Sequence, residues 1–239
     1  MGCSLGRRAA SAVAYQGVPG AFSEAAVREF YADAGDPPAA VGVDTFGEVF
    51  DGVLGGEYLS GVVPIEDSVT GTFHSVVDLL IERPTLHVVG EHASTTEHCL
   101  CATPGVTVDA IATVSSNPEI LRQCGTFLEG LSEQRRARGE VSLAWLPALN
   151  SAMCAMELGA SGATDTAVIC SEAAAELYGL SVVDGCSSIA DTNVSTRYLV
   201  VSKEPAELAV GERMKSSIVF ALPNEPMALF KAMSCFALR

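Results

Sequence analysis

"SGVVPIEDSVTGTFHSVVDLLIE", residues 60–82, decides the fold. "SGVVPIE" (60–66) is a short, mostly apolar run that reads as a strand. It runs into Glu66 and Asp67, two adjacent acids, and then into a polar loop that contains Gly71. "HSVVDLLIE" (74–82) follows as a helix. One strand, one polar loop and one helix make a βα unit, and the question becomes whether the unit repeats.

It repeats on the N-terminal side. "SAVAYQ" (11–16) reads as a strand, and "SEAAVREFY" (23–31) as a helix in which Phe22, Ala26 and Phe30 recur at four. "AAVGV" (39–43) is a strand, and Thr45 with Glu48 forms a capping box for the next helix. This βαβα order predicts an α/β fold with a parallel sheet and right-handed crossovers. A second unit follows. "HCLCA" (98–102) and "AIATVS" (110–115) read as strands, and Asn117 with Pro118 as a helix start. Ile120, Leu121, Cys124, Phe127, Leu128 and Leu131 form that helix's apolar stripe. "SEQRRARGE" (132–140) reads as a solvated loop, "VSLAW" (141–145) as a strand and "SAMCAMELGA" (151–160) as a helix. "TAVIC" (166–170), "SEAAAELYG" (171–179, capped by Ser171) and "TRYLVVS" (196–202) give strand, helix and strand. Beyond the linker "KEPAELAVGERM" (203–214), residues 216–222 read as a strand. The helix after it shares Leu229, Phe230, Met233 and Phe236 on one face. One strand and one helix cannot bury such a face alone, so this third unit is expected to be incomplete.

Composition limits the function. A 239-residue chain with 49% hydrophobic and 18% charged residues has material for a sizeable core. Its net charge of −15 argues against nucleic acid and against anionic membrane surfaces. No apolar run has the length of a transmembrane helix. Small anionic ligands stay possible, because helix N-termini or a few cations set the field of one pocket. Arg7 and Arg8 among small residues would suit the stub of an organelle transit peptide, or a ragged start. The eight cysteines, at 3, 99, 101, 124, 154, 170, 186 and 235, show no disulfide framework and read as reduced thiols of an intracellular protein. His92, His98, Cys99 and Cys101 invite a metal reading, but no second ligand pair follows, and no metal is expected.

Polar residues follow three strands, at 67–72, 116–118 and 150–151. Each suits turn and cap chemistry on its own. Together they lie where open α/β sheets bind ligands, outside the carboxyl ends of strands.

The same stretches resemble the prephenate dehydratase family, which includes the arogenate dehydratases of plants and algae. "VAYQGVPGAFSEAA" (13–26) is similar to the family's opening motif, and "PIEDSVTGTFHSVVDLL" (64–80) to its Pro-Ile-Glu-Asn-Ser segment. "LHVVGE" (86–91), "HCL" (98–100), "VSSNPEILRQC" (114–124), "DTAVICSEAAAELYGL" (165–180) and "STRYLVV" (195–201) follow in order. The resemblance implies a two-lobed dehydratase domain over 11–204, built like a type 2 periplasmic binding protein. Residues 11–90 and 183–204 would form one lobe, and 91–182 the other. Residues 215–239 resemble the start of a ferredoxin-like α+β ACT regulatory domain. Because that module is incomplete, no response to phenylalanine is expected.

The implied reaction is a decarboxylating elimination in L-phenylalanine biosynthesis. The ring carboxylate leaves as CO2, the C4 hydroxyl leaves as water, and the ring becomes aromatic, with no metal or organic cofactor. Carried over residue by residue, Thr196, Ser116, Gln123 and Asp67 fall at the catalytic positions. Arg197, Asn150, Ser151 and Ser68 fall at positions that bind substrate, although Arg197 equally suits a structural ion pair. Asp67, Asn117, Glu119, Tyr198 and Met227 depart from the family pattern, which has Asn, His, Gln, Phe and Gly there. An ionised Asp67 would repel a substrate carboxylate, and a protonated one would donate as an amide does; a handicap is the favoured expectation. The resemblance further implies a soluble homo-oligomer, in the chloroplast stroma of a plant or alga and otherwise in the cytoplasm. Two alternatives stay open: a weak paralogue that senses arogenate or phenylalanine, and a solute receptor. Arogenate and prephenate differ in an amino against a keto group, and no residue is assigned to that end.

Overall fold

The computed structural model describes residues 11–191, 193–206 and 215–238. Residues 11–206 belong to one compact unit and 215–238 to another. The expected transit-peptide arginines and part of the 203–214 linker lie outside the described residues.

The first sheet grows from the βα units. Strand β1 (Ala12–Gln16) leads to helix α1 (Phe22–Phe30), β2 (Ala39–Val43) to α2 (Phe46–Gly55), and β3 (Ser60–Asp67) through the short β4 (Gly71–Thr72) to α3 (His74–Glu82). Strand β5 (His87–Thr96) completes the run. Thr45 caps α2 by accepting from the Glu48 amide at 3.2 Å, and Glu48 reaches back to the amide of Asp44 rather than of Thr45. Strand β1 pairs in parallel with β2 and β3. The sheet is mixed, however, because β11 (Val194–Ser202) returns late in the chain and runs antiparallel to both β3 and β5. The order is β2-β1-β3-β11-β5, with β4 on β3.

The second sheet has the order β10-β6-β9-β7-β8. Its members are β6 (Cys99–Ala102), β7 (Thr113–Ser116), β8 (Ala144–Pro147), β9 (Thr166–Cys170) and β10 (Ser181–Val182). Strands β7, β8 and β9 are parallel, whereas β6 runs against β9. Apart from the two-residue β4, which turns back on β3, the reversed strand in each sheet is one that receives the chain from the other sheet: β6 on the outward crossing and β11 on the return. The first sheet keeps the chain as far as Thr96 and takes it back at Val194.

Helices α4 (Pro118–Gln123) and α5 (Gly125–Ala137) break at Cys124 where a single helix was expected. The break has a cause in the return crossing. The Asp191 amide donates to the Gln123 carbonyl at 2.8 Å, and the Asp191 carboxylate accepts from the Thr126 amide at 3.2 Å. Helix α5 also runs through the charged stretch expected as a loop. Its charges form a solvated face, and Arg135 donates to the carbonyls of Asp109, Ile111 and Val141. The expected strand at 110–115 starts later, at Thr113, after a 3-10 turn at Val108–Ala110. Helices α6 (Ser151–Ser161) and α7 (Glu172–Leu177) complete the lobe, capped by Asn150 and Ser171 as expected.

Three apolar clusters hold the unit together. One packs α2 and α3 on the first sheet, and one packs α4 and α5 on the second. The third spans both sheets and joins Val13, Tyr15, Val62 and Tyr198 to Cys101, Cys154, Val168 and Ala174. Residues 215–223 do not form the expected strand. Helix α8 (Ala228–Ala237) forms, with Phe230 and Met233 exposed. Met227, before it, adopts φ +68, a conformation that suits the glycine of the family pattern.

Candidate active site

Three local devices bring the sheets together at a cleft. The first is a bulge. Pro64 has no N–H to give a central ladder, and the β3–β11 register slips there: Tyr198 faces Pro64 and Arg197 faces Glu66, leaving Ile65 unpaired. The second is Gly17, at φ +121, where a Cβ would come within 2.4 Å of Asn150 Nδ2. Glycine therefore lets the β1 loop touch the cap of α6. The third is that cap: Asn150 Oδ1 accepts from Ala152 N at 2.9 Å and Met153 N at 3.2 Å.

The inner cavity, about 100 Å³, is lined by Pro64, Thr196 and Tyr198 from the first sheet and by Gln123, Asn150 and Ser151 from the second, among others. It shares Gln16, Phe46, Phe73, Asn117, Glu119 and Leu149 with a wider outer cavity of about 560 Å³. Among the described residues no Lys or Arg lines either cavity. Thr196 is 8% exposed, and its hydroxyl has no hydrogen-bond partner among the described residues. Gln123 is 3% exposed, and its Oε1 lies 2.6 Å from His98 Nε2. The N-termini of α1 and α6 also meet the cleft, through Phe22, Ser23, Asn150 and Ser151. Asn150 already caps the Ala152 and Met153 amides of α6, and the helix dipoles that end there favour negative charge.

Four expected site residues lie elsewhere. Asp67 is buried, but its carboxylate is engaged in its own loop. It accepts from Val69 N at 2.7 Å, from Thr70 N at 2.6 Å and from the Thr70 hydroxyl. This is an Asp-initiated turn, so the carboxylate does not reach the cleft. Ser116 ends β7 fully buried and donates its hydroxyl to the Ile169 carbonyl at 2.7 Å. Ser68 is exposed, and its hydroxyl bridges to Asn193 O and Ser195 N. Arg197 pairs with Glu66 at 2.8 Å and Glu91 at 3.1 Å. Strand alternation turns it to the face opposite Thr196.

Two lining residues were not singled out as site residues from the sequence. Glu119 was noted as a departure and no more. His98 was weighed as a metal ligand; among the described residues no group of three or more such side chains could hold a metal. Burial pushes the His98 imidazole below its ordinary value, opposed by its bond to Gln123, the charge of Asp67 and the Glu97 backbone. Burial also pushes the Tyr198 phenol upward, with the charges of Glu29 and Asp67 adding to it. The Cys99 and Cys124 thiols are pushed to about 11 and about 12 by burial, so they are inert.

A sequence profile described as prephenate dehydratase matches residues 13–206. The chain is 36% identical over 232 residues to arogenate dehydratase/prephenate dehydratase 2, chloroplastic, of Arabidopsis thaliana, covering 95% of this chain and 55% of that protein. It thus spans about half the length of the curated relatives it matches. Among solved structures, the prephenate dehydratase of Arthrobacter aurescens in complex with L-Phe superposes with a TM-score of 0.75 at 24% identity, over 95% of this chain and 72% of that one. A protein described as a novel type of quorum quenching acylase gives 0.70 at 25% identity, over 95% and 77%. The two α/β lobes expected from the sequence, the cleft between them and a match over most of the chain agree: the chain belongs to the prephenate dehydratase family.

Proposed function

We propose that the chain is a dehydratase that removes CO2 and water from arogenate, with prephenate as the poorer substrate. One observation carries the reading: the unpartnered Thr196 hydroxyl, itself buried, at the wall of the cleft. A positioned hydroxyl helps the C4 hydroxyl leave by donating to it as charge develops on the departing oxygen. The cleft meets the substrate's anionic groups with helix N-termini and amide donors, and no guanidinium or ammonium lines it among the described residues. A carboxylate held so is not locked by an ion pair, which leaves it readier to depart as CO2 than one clamped by arginine. Asn150, with Oδ1 committed to the α6 cap, keeps its NH2 for the ligand.

Glu119 supports arogenate. It lines both cavities with a side chain one-third exposed, and its partner Arg122 stands 3.7 Å away. A carboxylate there attracts the ammonium of an amino acid and gains nothing from a keto group. Purified protein supplied with each substrate tests the reading, following phenylalanine and phenylpyruvate. Turnover of arogenate is expected, with Glu119→Gln lowering kcat/KM for arogenate more than for prephenate. Binding without turnover would leave the sensor reading. The acylase reading has less support: among the described residues no hydroxyl or thiol is hydrogen-bonded to His98 as an activated nucleophile would be. A plastid location belongs to the same proposal, supported by the chloroplastic designation of the plant relative. No helix among the described residues is long and apolar enough to cross a membrane.

A further inference from the structure

His98 opens the second lobe, directly after the outward crossing, and it is 2% exposed. Its backbone carbonyl accepts from Ile189 N at 3.0 Å, while Gln123 O accepts from Asp191 N at 2.8 Å. The return crossing therefore pins both residues. Phe22 closes one side of the imidazole edge-on, with ring centroids 5.2 Å apart. The other nitrogen, Nδ1, is the one buried side-chain nitrogen or oxygen without a partner among the described residues.

That orphan atom settles the arrangement of the pair. Burial keeps the ring neutral, so a single N–H is available. A proton on Nδ1 would be a buried donor without a well-formed hydrogen bond, because the Glu97 backbone, which helps to raise the imidazole pKa, does not reach hydrogen-bond geometry with it. It would also turn the Nε2 lone pair against Oε1 at 2.6 Å. The proton therefore sits on Nε2 and is donated to Gln123 Oε1. A glutamine amide has two nearly isosteric orientations, and a fixed donor selects one of them. With the oxygen held by His98, the NH2 faces the cavity that Gln123 lines.

We propose that His98 is a positioning residue: it locks the Gln123 amide so that the cleft presents a neutral N–H donor to the substrate. The proposal rests on the dehydratase reading for its kinetic consequence, and not for the geometry. Without His98 the amide alternates and offers oxygen, an acceptor, part of the time. An acceptor there opposes the developing negative charge on the leaving oxygen or on a substrate carboxylate.

Three variants and one spectrum test it. His98→Phe is expected to lower kcat about 10–100-fold, with a smaller change in KM. His98→Gln places an amide N–H near the position of Nε2 and is expected to restore most of that loss. In a Gln123→Ala background, His98→Phe is expected to cost less than about threefold, because the two residues act as a unit. Equal losses in both backgrounds, or a His98→Gln variant as poor as His98→Phe, would overturn the proposal. If His98→Phe does not fold, the parent protein labelled with ¹⁵N-histidine decides. The His98 signals, assigned by their loss in His98→Gln, are expected to show a protonated Nε2 and a bare Nδ1 at neutral pH; a proton on Nδ1 sinks the idea. Should the parent turn over neither arogenate nor prephenate, the functional reading fails, and the tautomer still judges the lock.

Discussion

Asp67 and Thr196 stand opposite each other in the β3–β11 ladder and are almost equally buried, at 5% and 8% exposed. Their side chains do different things. Asp67 spends both oxygens on Val69 and Thr70 and shapes the loop after β3. Thr196 makes no hydrogen bond among the described residues and faces the cavity. Burial therefore does not distinguish a site residue from a structural one. Unused hydrogen-bonding capacity at a cavity wall does, because a buried polar group without a partner is costly until a ligand supplies one. The same contrast recurs between the lobes: the Ser116 hydroxyl is consumed by Ile169, whereas the Gln123 amide is half used by His98.

The contrast breaks most easily at Thr196. Thr196→Ala is expected to lower kcat about 10²–10⁴-fold, the usual worth of proton-transfer help. No hydrogen bond is lost with the hydroxyl, so stability should fall by about 1 kcal/mol or less. Thr196→Ser should keep most of the activity. Kinetics paired with thermal melts separate the two effects, and an alanine variant with parental turnover removes Thr196 from the chemistry.

Asp67 should behave the other way round. Asp67→Ala leaves two loop amides without their acceptor and is expected to cost about 2–3 kcal/mol of stability, read by urea melts. Asp67→Asn keeps an oxygen for both amides and should cost about 1 kcal/mol. Its pH–rate profile should keep the parental shape, because the carboxylate does not line the cleft. The sequence alone favoured the opposite result, in which relief of repulsion raises activity near neutral pH. Such a rise would put the Asp67 carboxylate against the substrate after all.

Arg197 gives a smaller signal. Its guanidinium holds Glu66 and Glu91 and is 29% exposed, so solvent screens both pairs. Arg197→Ala is expected to cost about 1 kcal/mol or less and to change KM by no more than about threefold. A tenfold or larger rise in KM would place the guanidinium at a substrate carboxylate.

These cases show where sequence reasoning stops. Strand β3, helix α3 and the caps at Asn117, Asn150 and Ser171 were legible, because local pattern and cap chemistry act within a few residues. The side on which Arg197 points was open to a local rule too, yet the sequence reading placed it at a substrate-binding position. It is adjacent to Thr196 in a strand, and neighbours in a strand face opposite ways. The employment of Asp67 was not legible, since an Asp after a strand serves a turn and a ligand equally well. The pairing of His98 with Gln123 needs the helix break at Cys124, which Asp191 imposes from a distant segment. No spacing rule connects those three residues. The part of helix α5 beyond Leu131 was missed because a charged stretch reads alike as a loop and as the solvated face of a helix.

The smallest expected effect is one of slope, and it sharpens the account of the half-used amide. Burial depresses the folded-state pKa of His98 below its ordinary value of 6.5, against the raising influence of Gln123, Asp67 and the Glu97 backbone. Protonating the ring would force a proton onto sealed Nδ1, which has no well-formed hydrogen bond waiting. Between the folded and unfolded pKa values the unfolded chain therefore binds more protons, and stability must rise with pH there. The contribution is complete above about 6.5 and is lost as pH falls from there toward the folded value; below that value no further loss comes from this residue. Carboxylates shared by parent and variant titrate over lower pH and cancel in the difference. Urea melts of the parent and of His98→Gln, taken at steps from pH 7.5 down to pH 5, should show the parent losing stability relative to the variant as pH falls. A difference that stays flat would mean that the imidazole reaches water, and a difference of opposite sign would mean that Nδ1 finds an acceptor once it is protonated. Either result would take His98 out of the wall and leave Gln123 free to turn.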